Sequence, residues 1–312
     1  MTKEPLFLTQ VFQERIWGGT ALRDVFGYEI PNDKTGECWA ISAHPNGMGY
    51  IKNGHYAGKS LKELWDRHRE LFGGVPGDKF PLLTKILDAN DDLSVQVHPD
   101  DAYANLNENG ELGKTECWYI IDAKDDAELI FGHHANSPEE MRQMLERGEW
   151  ERFLRRIKVK TGDFFYVPSG TVHALCQGTL ILETQQSSDT TYRLYDYDRV
   201  DDSGHKRELH LEKSMDVIKT PHESHSVKPT VENVTGGTVT TYVKSDFFSV
   251  YKYNIKGEAV FTQDKPFLLV SVLSGQGRVN EYGLKKGDHF ILPAEFGKFT
   301  IHGELELMVS HI

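Results

Sequence analysis

The sequence predicts a mainly β protein made of two β-units, the first of them interrupted by helical segments. Three observations carry this. Several stretches alternate apolar and polar residues with a period of two, which gives each an oily face and a polar one. Glycine, aspartate and proline punctuate those stretches at short intervals, as turns between strands require. Finally, Gly162-Asp163-Phe164-Phe165-Tyr166-Val167-Pro168 returns 125 positions later as Gly287-Asp288-His289-Phe290-Ile291-Leu292-Pro293, so one turn-and-strand frame is used twice.

Residues 5–45 hold short apolar runs broken by turns, among them Leu6-Phe7-Leu8, Trp17-Gly18-Gly19 and Cys38-Trp39-Ala40-Ile41-Ser42, a spacing that suits strands. His44 reads as a loop histidine. Ser60-Leu61-Lys62-Glu63 has the form of a capping box and opens a helix carrying Leu61, Leu64, Trp65 and His68, which ends near Gly73-Gly74. Ser137-Pro138-Glu139-Glu140 starts a second helical segment, with Met141, Met144 and Leu145 as its buried stripe. The stripe resumes after Gly148 with Trp150, Phe153, Leu154 and Ile157. The helical segments are therefore expected near 60–73 and 137–157, with the basic run Arg155, Arg156, Lys158 and Lys160 at a solvated helix end, where cations favour the dipole.

Between and after these helices lie the residues that carry chemistry. In the strand Ser94-Val95-Gln96-Val97-His98, alternation turns Ser94, Gln96 and His98 to one side and the two valines to the other. Lys114 and Glu116 share a face with Trp118 and Ile120, opposite Cys117, Tyr119 and Ile121. Gly162-Asp163 makes a turn, Phe164 to Val167 a strand, and Pro168-Ser169-Gly170 a second turn that delivers His173. Gln96, His98, Glu116 and His173 are oxygen and nitrogen donors suited to a borderline divalent ion such as zinc. Thr179 to Gln185 reads as a strand with Glu183 on the same face as Ile181. The polar loop from Ser187 to Asp198 holds Arg193, with Arg199 as its competitor.

A ligand pair two apart on a strand, a carboxylate on the next, and a histidine after a Gly-Asp…Pro-x-Gly hairpin together resemble the two motifs of the cupin superfamily. The usual His-x-His is Gln96-x-His98 here, which narrows the family. Leu93-Ser94-Val95-Gln96-Val97-His98-Pro99, Lys114-x-Glu116, and the run from Glu183 through Ser188-Asp189 to Arg193 resemble the type I phosphomannose isomerases in their shorter bacterial form. The resemblance covers most of residues 1–200. It implies cupin jelly-roll barrels, two of them in a bicupin with added helices. It also implies one zinc ion per chain on Gln96, His98, Glu116 and His173, and reversible isomerisation of mannose 6-phosphate and fructose 6-phosphate through an enediol. Under it Arg193 stabilises the enediolate or positions the sugar, Lys114 bonds an oxygen or assists proton transfer, and Glu183 is a candidate acid or base.

Residues 201–240 contain a helical patch from Leu211 to Ile218, two linker histidines, His222 and His225, and a connecting stretch from Val227 to Thr240. The second unit follows. Ser274-Gly275-Gln276-Gly277 gives hairpin punctuation, Phe267 to Leu273 carries no ligand, and Lys298 falls where His173 would be. A catalytic, metal-binding domain over 1–230 and a degenerate barrel over 231–312 are expected.

The formal charge of −12 in 312 residues argues against nucleic acid or an anionic membrane surface as a partner. No long apolar run and no basic-then-apolar leader occurs, so a cytoplasmic protein is expected, while a monomer is one option and the sequence leaves the oligomeric state open. Cys38, Cys117 and Cys176 lack Cys-x-x-Cys spacing and read as buried, reduced thiols. Two other functions would use similar residues. An iron-dependent cupin dioxygenase would consume dioxygen, and a non-catalytic sugar-binding bicupin would tolerate loss of Arg193.

Overall fold

The computed structural model describes residues 4–200 and 203–312. A six-stranded antiparallel sheet runs in the order Val11–Gly19, Thr35–Ile41, Leu82–Ala89, Thr179–Gln186, Glu116–Ala123, Phe164–Val167. A five-stranded sheet runs Tyr192–Tyr195, Val95–Val97, His173–Leu175, Glu128–His133, Leu154–Lys158. The two share a core, because Leu87, Trp118, Ile120 and Ile181 of the first pack with Leu129, Phe131 and Leu175 of the second. Alternation along Glu116–Ala123 sends Cys117 and Tyr119 into a different cluster behind the sheet.

Both capping signals produce helices. Ser60 Oγ accepts from the Glu63 amide at 3.0 Å and opens Leu61–Arg67, which buries Leu61, Leu64 and Trp65. A 3₁₀ turn, Arg69–Phe72, follows and stops at Gly73, whose φ is 64°. Ser137 Oγ accepts from the Glu140 amide at 3.1 Å and opens Pro138–Glu146. Each such cap stabilises by about 1 kcal/mol. Met141, Met144 and Leu145 then cover the outer face of the five-stranded sheet against Val95, Val97 and Ala174.

The expected helical segment over 137–157 ends early. A short helix covers Trp150–Phe153, but Leu154–Lys158 is a strand paired with Glu128–His133. Arg155, Arg156 and Lys158 therefore sit on a sheet edge, where Arg156 and Lys158 lie 3.8 and 3.3 Å from Glu128, and charge on an edge discourages further pairing. The Val227–Thr240 stretch is likewise more than a connection, since Thr230–Val234 and Gly237–Lys244 pair as strands. Ser274 to Gly277 makes no hairpin. It lies inside the strand Leu268–Val279, next to an irregularity between Val272 and Ser274.

The remaining strands form an eight-stranded sheet. Leu6–Phe7, at the other end of the chain, joins it by pairing with His289–Leu292. Its inward side chains, including Ile255, Val272, Phe290, Phe299 and Leu307, make a separate core. A third apolar layer, with Trp65, Phe72, Phe80, Cys117, Phe248, Phe267 and Met308, joins this sheet to the back of the six-stranded one. The three cysteines are free and buried. Among the described residues no helix is long and apolar enough to cross a membrane.

Candidate active site

His98 directly follows the Val95–Val97 strand, Glu116 opens its strand and His173 opens another. Sheet register brings them together, with His173 opposite Gln96 and Glu116 opposite Gln185. The His98 and His173 Nε2 atoms lie 3.5 and 3.3 Å from the two Glu116 carboxylate oxygens, and the ligating atoms all fall within 4.8 Å of one another. All three residues are buried.

Each imidazole has a fixed tautomer. His98 Nδ1 lies 3.0 Å from the Thr190 carbonyl and His173 Nδ1 lies 2.8 Å from that of Thr171. A carbonyl can only accept, so Nδ1 carries the proton and Nε2 keeps its lone pair. Both Nε2 atoms and both Glu116 oxygens are buried without a hydrogen-bond partner. Four orphaned polar atoms at one point are costly in a folded protein. Burial also drives the His98 imidazolium down to about 3, with the Lys114 charge adding to it, and burial lowers His173. Burial works the other way on Glu116, yet Lys114 and the two histidines hold its carboxyl well below the usual range. Two neutral imidazoles and an ionised carboxylate fit a divalent cation.

Beside this cluster opens a polar cavity of about 490 Å³ lined by Gln96, Lys114, Glu183 and Arg193. Lys114 Nζ is 3.2 Å from Glu116 Oε2. Burial disfavours its charge, but Glu116, Glu183 and Asp189 raise its pKa further, so it stays an ammonium. Glu183 Oε1 accepts from Trp118 Nε1 at 3.2 Å. Burial first, and Glu116 second, push its carboxyl up to about 7. Arg193 is steered by Ser94 Oγ at 3.3 Å and the Glu208 carbonyl at 2.8 Å. Its competitor Arg199 is turned toward Asp196, at 2.7 Å, and does not line the cavity.

Sequence reasoning missed Arg15, Glu37, Lys85 and Arg207, which also line the cavity, as does Asp189, named there only as part of a motif. One signal was available. Lys85 interrupts Leu82–Ala89, a strand buried along its whole length, and a lysine there needs a partner. His222, read as a linker histidine, packs against Gly132 and 6.2 Å from the His133 ring, away from the cavity.

Residues 6–122 match the catalytic domain of type I phosphomannose isomerase, and residues 238–312 match the cupin domain of mannose-6-phosphate isomerase. The mannose-6-phosphate isomerase ManA of Bacillus subtilis is 59% identical over 318 residues, covering all of both chains. The mannose-6-phosphate isomerase of Streptococcus mutans is 56% identical over 99% of this chain and 98% of its own. The crystal structure of the mannose 6-phosphate isomerase from Bacillus subtilis superposes with a TM-score of 0.97 at 59% identity, covering 99% of each chain. On this match over the whole length, the chain belongs to the type I phosphomannose isomerase family.

Proposed function

We propose that this chain interconverts mannose 6-phosphate and fructose 6-phosphate through an enediol, with one zinc ion per chain. The observation that carries the proposal is the buried His98-Glu116-His173 set, with four orphaned donor atoms, at the edge of a cation-bearing cavity in a chain with these relatives. Gln96 is the fourth ligand in this reading. A zinc ion held there would supply positive charge against the oxygens that gain charge as the enediol forms.

The chain's own residues do the rest. In the aldose-to-ketose direction a proton leaves C2 and one returns to C1, while a hydroxyl proton passes from O2 to O1, so no external oxidant is needed. Glu183, at the cavity wall with a carboxyl near neutrality, takes the proton from one carbon and returns it to the other. Lys114 donates a hydrogen bond to a reacting oxygen, and Arg193 orients the sugar. The cations around the cavity give a chain of net charge −12 a local place for a phosphate.

The 125-residue repeat supports the finer architectural reading of two cupin barrels, a catalytic one over 1–230 and a degenerate one over 231–312. A cytoplasmic location is part of this reading. Fructose 6-phosphate formation from mannose 6-phosphate tests the function. Activity that vanishes with a chelator and returns with zinc is the expected result, and metal-loaded protein without turnover overturns the reading.

A further inference from the structure

Behind Glu183 stands a row of buried charges that the proposed chemistry does not use. Sheet register sets Lys85 opposite Glu183 on one side and opposite Trp39 on the other. Lys85 Nζ lies 3.8 Å from Glu183 Oε2 and 3.8 Å from Glu37 Oε2, and 4.5 Å from the centre of the Trp39 ring. Glu37 cannot move toward it, because Arg15 Nε holds Oε1 at 2.8 Å and Trp39 Nε1 holds Oε2 at 2.6 Å. Lys85 is 4% exposed, and Glu183 Oε2 has no hydrogen-bond donor.

A lysine that merely neutralised Glu37 would close on it. This one stands midway between two carboxylates, at the wall of the cavity. We propose that Lys85, braced by Glu37, is a positioning residue that holds the Glu183 carboxylate toward the sugar carbons. The inference rests on Glu183 as the proton carrier. Four charges act on Glu183 from the surrounding strands: Lys85 from Leu82–Ala89, Glu37 from Thr35–Ile41, and Lys114 and Glu116 from Glu116–Ala123 and its lead-in. Lys114 and Lys85 favour its ionised form, while Glu116 and Glu37 oppose it.

The test compares kcat, KM and pH profiles of zinc-loaded wild type, Lys85→Met, Lys85→Arg, Glu37→Gln and Glu183→Gln. A misdirected carboxylate lowers kcat more than KM, and Lys85→Met is expected to lose about a hundredfold in kcat. Lys85→Arg restores part of it. A carboxylate base works only when ionised, so the acid limb of kcat/KM follows its pKa. Losing a neighbouring cation raises that limb in Lys85→Met, and losing a neighbouring anion lowers it in Glu37→Gln. Shifts in opposite directions support the proposal, while no shift or a common shift overturns it. Glu183→Gln separates the two readings. If it keeps its activity, Glu183 is not the proton carrier. If it loses about a hundredfold or more while the Lys85 and Glu37 variants behave like wild type, the Lys85 role alone fails. Should Lys85→Met not fold, as judged by circular dichroism, Lys85→Arg and Glu37→Gln carry the test: a wild-type acid limb in Glu37→Gln overturns the proposal.

Discussion

The two β-units use one turn for opposite ends. In the first, the Gly162 amide donates to the Ile120 carbonyl, the Ile120 amide donates to the Asp163 carbonyl, and Asp163 Oδ2 accepts from the Lys160 amide. In the second, Gly287, Val272, Asp288 and Lys285 repeat the same three bonds, at 2.9, 2.9 and 2.8 Å. The contents differ. The first unit encloses a cavity of about 490 Å³ with charged walls, whereas Val270, Phe290, Phe299 and Leu307 in the second leave about 10 Å³, too little to hold a water comfortably.

Their histidines differ in the same way. His289 is fully buried, with Nδ1 at 2.9 Å from Ser271 Oγ and Nε2 at 2.8 Å from Tyr28 OH, so both ring nitrogens have partners. His173 is as deeply buried but has an unpartnered Nε2. Burial alone does not distinguish the two histidines; what sets His173 apart is an unpartnered Nε2 3.3 Å from a buried carboxylate oxygen. At the position repeating His173, Lys298 is exposed to solvent. The frame recurs without the buried His-Glu-His cluster because the turn is held by the backbone, whereas the cluster is made of side chains that the turn only aims.

The largest expected effect breaks the chemistry and spares the frame. Glu116→Gln removes the only charge among the three clustered candidate ligands, and activity should fall by about three orders of magnitude, close to 4 kcal/mol in the barrier. Metal content by mass spectrometry should fall with it. Full activity and full metal content would place the reaction elsewhere. The reverse experiment breaks the second unit's packing. Phe290 is 1% exposed, and Phe290→Ala should cost about 3–5 kcal/mol in denaturant unfolding. Turnover per folded molecule should stay near wild type, since no side chain of that core lines the cavity. A comparable loss of kcat at a temperature where the variant is folded would show that the second core also shapes the first.

The clustering of His98, Glu116 and His173 was legible in the sequence because a period of two puts residues on a known face, and because the Gly-Asp and Pro-x-Gly turns fix where the His173 strand begins. The charges behind them were not. Glu37, Lys85 and Glu183 come from three separate strands, and only register makes them neighbours, which no local pattern encodes. Residues 153–157 illustrate a different limit. Phe153, Leu154 and Ile157 suit a helical stripe as well as a strand, and pairing with Glu128–His133 decides the matter. The docking of Leu6–Phe7 against His289–Leu292 lies furthest from view, since it joins the two ends of the chain.

The smallest effect sharpens the comparison at the shared turn itself. Gly162 has φ 92° and Gly287 φ 86°, so an alanine at either pays a similar backbone strain, roughly 1–2 kcal/mol. Their surroundings are unequal. A Cβ at Gly162 would meet nothing within 4 Å, whereas one at Gly287 would lie 2.8 Å from the Tyr28 ring. Tyr28 donates to the Gly287 carbonyl at 3.0 Å and bonds His289, so moving it loosens the link between the N-terminal region and the second unit. Gly287→Ala should therefore cost about 1–3 kcal/mol more than Gly162→Ala in denaturant unfolding. Equal costs would mean that Tyr28 swings aside freely, and that the tyrosine fills space at this junction without bracing it.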